Sequence, residues 1–162
     1  MTRKPHTADG QMPDDGMLFL DRQLCFAIYS AAHAFNRTYK PLLDPYGLTY
    51  PQYLVLLSLW QDDGRSVKSL GDALHLDSGT LSPLLKRLEA SGYIERTRDR
   101  ADERQVLITL TRKGKDMRQE AKAILKEIGK AAGCSADELD GLSASLRDLA
   151  GNLRNLQKLA DD

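Results

Sequence analysis

From Met17 to Leu43 apolar side chains return every three to four positions, at Leu20, Leu24, Ile28, Ala31, Phe35, Tyr39 and Leu42. That spacing follows the 3.6-residue turn of an α-helix and predicts one long amphipathic helix, ended by Pro45 and Gly47. Thr49 can cap a second helix, with Pro51 in its first turn. This helix is apolar nearly all round (Tyr53, Leu54, Leu56, Leu57, Leu59, Trp60), so it is expected to be buried, and Asp62, Asp63 and Gly64 stop it. Ser66 opens a short helix with Leu70, Ala73 and Leu74 on one face. A turn at His75 to Gly79 leads into the next helix. Pro83 fits only near a first turn, which puts the start between Ser78 and Thr80. Leu81, Leu84, Leu85 and Leu88 point inward, Lys86, Arg87 and Glu89 outward, and Gly92 ends the run.

Beyond Gly92 the period drops from helical to alternating. Tyr93–Arg98 and Gln105–Leu110 read as two strands, and the link between them is charged and polar, which predicts a hairpin with an exposed tip. Thr111 and Gly114 begin a helix that runs to about Ala132, and Gly133-Cys134 breaks it. Ser135 with Glu138 three residues later forms a capping box for the last helix. There Leu139, Leu142, Leu146, Leu149, Leu153 and Leu156 alternate in steps of three and four, the spacing of heptad a and d positions.

The predicted fold class is mainly α with a small β-hairpin wing: a winged helix-turn-helix dimerising through its N- and C-terminal helices. In such a unit the second helix enters the DNA major groove and the hairpin reaches backbone or minor groove. The expected organisation is a flexible polar arm at 1–16, a first dimerisation helix at 17–48, a winged helix-turn-helix at 49–114 and dimerisation helices at 115–162. The leucine stripe could also pack within one chain against the first helix. Its regularity points to a seam between subunits.

Charge refines this picture. The 162 residues carry 23 Lys plus Arg and 23 Asp plus Glu, so the formal net charge is zero. A polyanion partner therefore requires basic residues sorted onto one surface. Lys86 and Arg87 on the expected recognition helix, with Arg96, Arg98, Arg100 and Arg104 on the hairpin, supply such a stripe. Each feature alone is also what a solvated surface looks like; in this order they indicate double-stranded DNA. Two cysteines and three histidines exclude a disulfide scaffold and argue against a zinc site, so no metal and no cofactor is expected. No apolar signal segment or membrane span is visible, which points to the cytoplasm, where thiols stay reduced. There the two cysteines are either inert packing residues or redox-active ones.

Residues Ser66 to Gly114 resemble the winged-helix core of the MarR (multiple antibiotic resistance regulator) family, through DSGTLSPLLKRLEASGYIER and the wing RDRADERQVLITLTRKG. Within it, LDRQLCFAIYSAAHAFNRTYKPLLDPYGLTYPQYLVL resembles the organic hydroperoxide sensors of the OhrR type. The likeness covers about residues 18–115; the C-terminal helices match only in kind. It implies a non-enzymatic homodimeric repressor, released from operator DNA when peroxide oxidises a cysteine that maps to Cys25. Two tyrosines that hydrogen-bond the sulfur map to Tyr39 and Tyr50. One subclass closes a disulfide to a second cysteine of the other subunit, and Cys134 is the candidate here.

The chemistry is general. A thiolate attacks the peroxide O–O bond, becomes a sulfenic acid and condenses with a nearby thiol. Phenol donors aimed at sulfur favour the thiolate. Leu20, Leu24, Phe26 and Trp60 are candidates for an apolar lining that suits organic hydroperoxides, with Tyr29 and Tyr53 as further pocket walls. For DNA, Ser78, Thr80 and Ser82 sit where hydroxyls and helix amides meet phosphates and base edges. Lys86 and Arg87 are expected on phosphate or guanine. Arg98 and Arg100 lie on the wing. Asp102 and Arg104 match the acid and arginine of the family's wing, Asp102 orienting Arg104 by a charge-assisted hydrogen bond. Two other function classes stay open. One is a regulator released by a small phenolic or aromatic ligand, with structural cysteines. The other is a pure dimerisation module, which leaves the basic wing unexplained. A thiol peroxidase would call for a thioredoxin-like βαβ pattern or a C-x-x-C, and neither is present.

Overall fold

A computed structural model describes residues 18–99, 102 and 104–161. The expected arm at 1–16 and the wing residue Arg100 lie outside the described residues.

The first helix, α1, spans Leu24–Leu43, seven residues shorter at its start than the periodicity predicts. Leu20–Arg22 form a separate single turn, and Gln23 is extended, which breaks the run. α1 leads into a tight turn at Asp44–Tyr46 that closes on Gly47 in the left-handed region (φ 65°), where glycine carries no Cβ penalty. α2 spans Tyr50–Gln61, and the Thr49 N–H donates to Gln52 Oε1 at 2.8 Å in a capping box. As its composition predicts, α2 is buried along Tyr53, Val55, Leu56 and Leu59.

A two-residue strand, β1 (Arg65–Ser66), follows and is absent from the sequence prediction. Then come α3 (Val67–Leu74), α4 (Ser78–Ala90), β2 (Ile94–Arg98), β3 (Val106–Leu110), α5 (Arg112–Ala132) and α6 (Ala136–Asp161). The helices expected to open at Ser66 and Thr111 are capped there: the two hydroxyls accept from Ser69 N–H and Gly114 N–H, both at 3.1 Å. Ser135 and Glu138 form the expected box before α6.

The sheet has order β1-β3-β2 and is antiparallel throughout. Ile94 faces Leu110 and Arg98 faces Val106. Arg65 faces Ile108, so β1 covers the edge of β3 that β2 leaves free. One core unites Leu43, Leu56, Leu59, Leu70, Leu81, Leu85, Leu88, Ile94 and Ile108, all with almost no exposure. It lies under the winged helix-turn-helix and the C-terminal end of α1.

Two elements project from that core. Between Leu24 and Arg37 no described residue is buried; Leu24 and Tyr29 are 61% and 60% exposed. None of residues 136–156 of α6 is buried either, with Leu142 and Leu153 at 56% and 55%. Apolar surface on this scale marks a contact surface.

Candidate DNA interface and cysteine–tyrosine site

The α3–α4 turn is built for a sharp reversal. His75 takes a left-handed conformation (φ 54°), and Leu76 N–H donates to the Gly71 carbonyl at 2.9 Å. Asp77 then caps α4: its two oxygens accept from Thr80 N–H and Thr80 Oγ1–H, each at 2.9 Å. The sequence reading placed Asp77 in the turn and missed this role, although aspartate just before a helix is a standard cap signal. The Thr80 hydroxyl proton is therefore committed to Asp77, leaving only its lone pairs to a DNA group. Leu81, Leu85 and Leu88 anchor the inner face. Ser78, Thr80, Lys86 and Arg87 are exposed on the outer side, and Ser82 is half-buried.

The Thr80 hydrogen bonds hold the Asp77 carboxyl below its ordinary range. A depressed carboxyl stabilises the fold above its unfolded value of about 3.9, and the stabilisation is lost as pH falls through the lower folded value. Asp77→Asn keeps a cap oxygen but cannot titrate. The stability gap between wild type and Asp77→Asn, measured by urea unfolding, is expected to be constant near neutrality and to narrow below about pH 4. A gap that does not change with acid would contradict the capping account.

On the wing, Arg98 is exposed at the end of β2. Arg96, on the same strand of the wing, turns toward α4: its Nη1 lies 3.9 Å from Glu89 Oε2. Its Nε is buried without a hydrogen-bond partner among the described residues. Asp102 engages Arg104, but through the backbone: Oδ1 accepts from Arg104 N–H at 3.1 Å and Oδ2 from the Gln105 side-chain amide at 3.0 Å. The expected carboxylate–guanidinium pair is not formed, because a short side chain two residues back reaches the amide with less loss of freedom. Asp102 thus holds the backbone at Arg104, and the Arg104 guanidinium has no carboxylate partner among the described residues.

The residues grouped by sequence around Cys25 separate into two sets. Cys25 is exposed at the start of α1 beside exposed Leu20 and Leu24, half-buried Phe26 and exposed Tyr29. Phe26, Tyr29 and His33 form an aromatic row, with centroids 6.5 and 4.3 Å apart. Tyr39 is fourteen positions further along the same helix, about 21 Å at 1.5 Å per residue. There it packs on Tyr50 at 4.6 Å and Tyr53 at 5.7 Å. Within one chain, therefore, a continuous helix keeps Cys25 apart from Tyr39 and its neighbour Tyr50, the donors that the resemblance implies. Trp60 belongs to the distant set. Its ring meets Tyr53 edge-on at 5.9 Å and its Nε1–H donates to the Gly114 carbonyl at 2.9 Å.

Burial pushes the Tyr39 phenol up to about 12, with Tyr50 and Tyr53 adding to it, and burial raises Tyr50 and Tyr53 as well. All three remain protonated donors at neutral pH. Cys134 is free and exposed after α5, its thiol donating to the Ala132 carbonyl at 3.3 Å. Among the described residues no three His, Cys, Asp or Glu side chains gather to hold a metal, and no helix is long and apolar enough to cross a membrane.

Residues 37–121 match the family described as transcriptional regulator SarA/Rot. The chain is 57% identical over 133 residues to the HTH-type transcriptional regulator TtmR of Methylorubrum extorquens, covering 80% of this chain and 68% of TtmR. It is 44% identical over 134 residues to the organic hydroperoxide resistance transcriptional regulator of Bacillus subtilis, covering 83% of this chain and 91% of the relative. The protein is a winged-helix transcriptional regulator of the MarR/SarA family. AbfR of Staphylococcus epidermidis, solved reduced and bound to DNA, superposes on this regulator with a TM-score of 0.73 at 37% identity, covering 90% of this chain and 99% of AbfR. A disulfide-formed AbfR gives a TM-score of 0.60 at 38% identity over 84% of this chain and 96% of AbfR. The MarR/SarA-type regulator thus has the mainly α winged helix-turn-helix that its sequence predicts. It belongs among DNA-binding regulators and not among enzymes.

Proposed function

We propose that this regulator is a homodimeric repressor that binds double-stranded operator DNA and releases it when an organic hydroperoxide oxidises Cys25. The observation that carries the reading is the division of the site. Cys25 with its apolar neighbours stands at one end of α1, while Tyr39 near the other end packs on Tyr50 of α2, so in this reading a second copy brings them together. Exposed apolar faces on α1 and α6 supply the contact surface for that copy. The 44% identity to an organic hydroperoxide resistance regulator supports the effector class.

In this reading Leu20, Leu24, Phe26 and Tyr29 shelter the sulfur. Tyr39 and Tyr50 of the other subunit donate hydrogen bonds that favour the sulfur anion. The thiolate attacks one peroxide oxygen. An S–O bond forms, the O–O bond breaks, sulfur gives up two electrons and the leaving alkoxide takes a proton to become an alcohol. The sulfenic acid then condenses with the Cys134 thiol of the other subunit, forming a disulfide and releasing water. Residues 49–114 carry the DNA contacts, while 17–48 and 115–162 carry the dimer. The protein works in the reducing cytoplasm, where Cys25 begins as a thiol.

The test is operator binding before and after one equivalent of cumene hydroperoxide. Wild type is expected to release DNA and Cys25→Ser to stay bound. Cys134→Ser is expected to lose the covalent dimer on a non-reducing gel. Release by Cys25→Ser would overturn the redox reading and leave a ligand-released regulator.

A further inference from the structure

Tyr53 is the unexplained member of the tyrosine cluster. Its side chain has no exposure at all, and its Oη is buried without a hydrogen-bond partner among the described residues. A buried hydroxyl left unpaired is unfavourable, and in a folded protein it calls for an explanation. Conserving core volume does not provide one, because phenylalanine would fill the same space without the penalty.

The surroundings do provide one. Tyr53 lies one helical turn after Tyr50 on α2, and both rings pack against Tyr39 of α1, at 5.7 and 4.6 Å. Tyr50 is half-buried, and Tyr39 retains 6% exposure. Tyr53 is thus the least exposed of the three tyrosines.

We infer that Tyr53 is a positioning residue of the peroxide site, holding its O–H in reserve for the phenol oxygens of the Tyr39–Tyr50 pair. The inference rests on the proposed function, in which that pair donates to the partner's sulfur. A phenol that donates to an anion becomes a better acceptor at its own oxygen, since chained hydrogen bonds polarise one another. The Tyr53 O–H has no hydrogen-bond partner among the described residues of the single chain, and gains one when formation of the sulfur anion across the interface draws a phenol oxygen within its reach. Each phenol keeps its proton, so no proton is transferred along the chain. The raised values of all three phenols agree with this.

The experiment follows oxidation of Cys25 in the full-length protein by cumene hydroperoxide, trapping the sulfenic acid with a dione and reading it by mass spectrometry. Tyr53→Phe is expected to slow the bimolecular rate about fivefold to tenfold, the worth of one modest hydrogen bond in the transition state. Its melting temperature is expected to equal or exceed that of wild type, because an unpaired buried hydroxyl has been removed. In a Tyr39→Phe/Tyr50→Phe background, Tyr53→Phe is expected to cause no further slowing, since its partners' oxygens are gone. A wild-type oxidation rate in Tyr53→Phe would overturn the inference. So would equal slowing in both backgrounds, or a lower melting temperature, which would mean the hydroxyl serves the resting fold. These outcomes are separate from failure of the sensor reading itself, which the Cys25→Ser operator assay detects.

Discussion

Replacing Gly114 by alanine is expected to destabilise the fold by about 3 kcal/mol or more, lowering the melting temperature by about 10 °C. Gly114 occupies the first turn of α5 where that helix crosses the root of the wing. An added Cβ would overlap the Tyr93 carbonyl oxygen and sit 3.0 Å from Leu110 Cδ2. Overlap with a flexible side chain could be relieved by a rotamer change, but here the obstacle is backbone. That carbonyl cannot retreat either, because Thr111 N–H and Thr111 Oγ1 both approach it at 3.1 Å. On the opposite side the Gly114 carbonyl is held by the Trp60 indole. Relief therefore requires separating β2 from α5 or α5 from α2, and each route breaks hydrogen bonds at the centre of the domain. Thermal unfolding followed by circular dichroism measures the effect. An unchanged melting temperature would show that the close crossing is not needed.

The second large effect is expected at Arg104. With Asp102 bonded to the Arg104 N–H and the Gln105 side-chain amide, the exposed Arg104 guanidinium has no carboxylate partner among the described residues. Arg104→Ala is expected to weaken operator binding about tenfold to hundredfold. If the guanidinium touches only phosphate, the loss should be uniform across operator sequences and the salt slope should fall by about one. If it enters a narrow minor groove, the loss should be greatest on operators rich in A·T at the wing position. Asp102→Asn should weaken binding less, because an amide oxygen still accepts from Arg104 N–H. Operator affinity in Arg104→Ala equal to wild type would remove the wing from the interface. Fluorescence anisotropy over a range of salt concentrations distinguishes these results.

What could be read in advance follows the reach of each interaction. Caps at Thr49 and Ser135, and the helix starts at Ser66 and Thr111, were legible because a short polar side chain meets an amide two or three residues away, and spacing alone encodes that. The inward leucines of α4 were legible for the same reason. β1 was not: two residues have no periodicity, and Arg65–Ser66 become a strand only by pairing with Leu107 and Ile108, some forty positions on. The ion pair of Arg96 was not legible either, because its partner Glu89 lies on another element. The separation of Cys25 from Tyr39 needed only the rise of a helix. A resemblance that names residues together, however, does not say which chain each comes from.

The overhanging half of α1 has a consequence for when the protein can respond. In the proposed dimer, the sulfur and its phenol donors meet only by association, so sensitivity to peroxide obeys mass action. Below the dissociation constant of the pair, Cys25 is an exposed thiol without Tyr39 and Tyr50 at hand. A cell holding few copies would then own the detector's parts without the detector. Dilution, or a lowered gene dosage, should dull the response before any residue is changed.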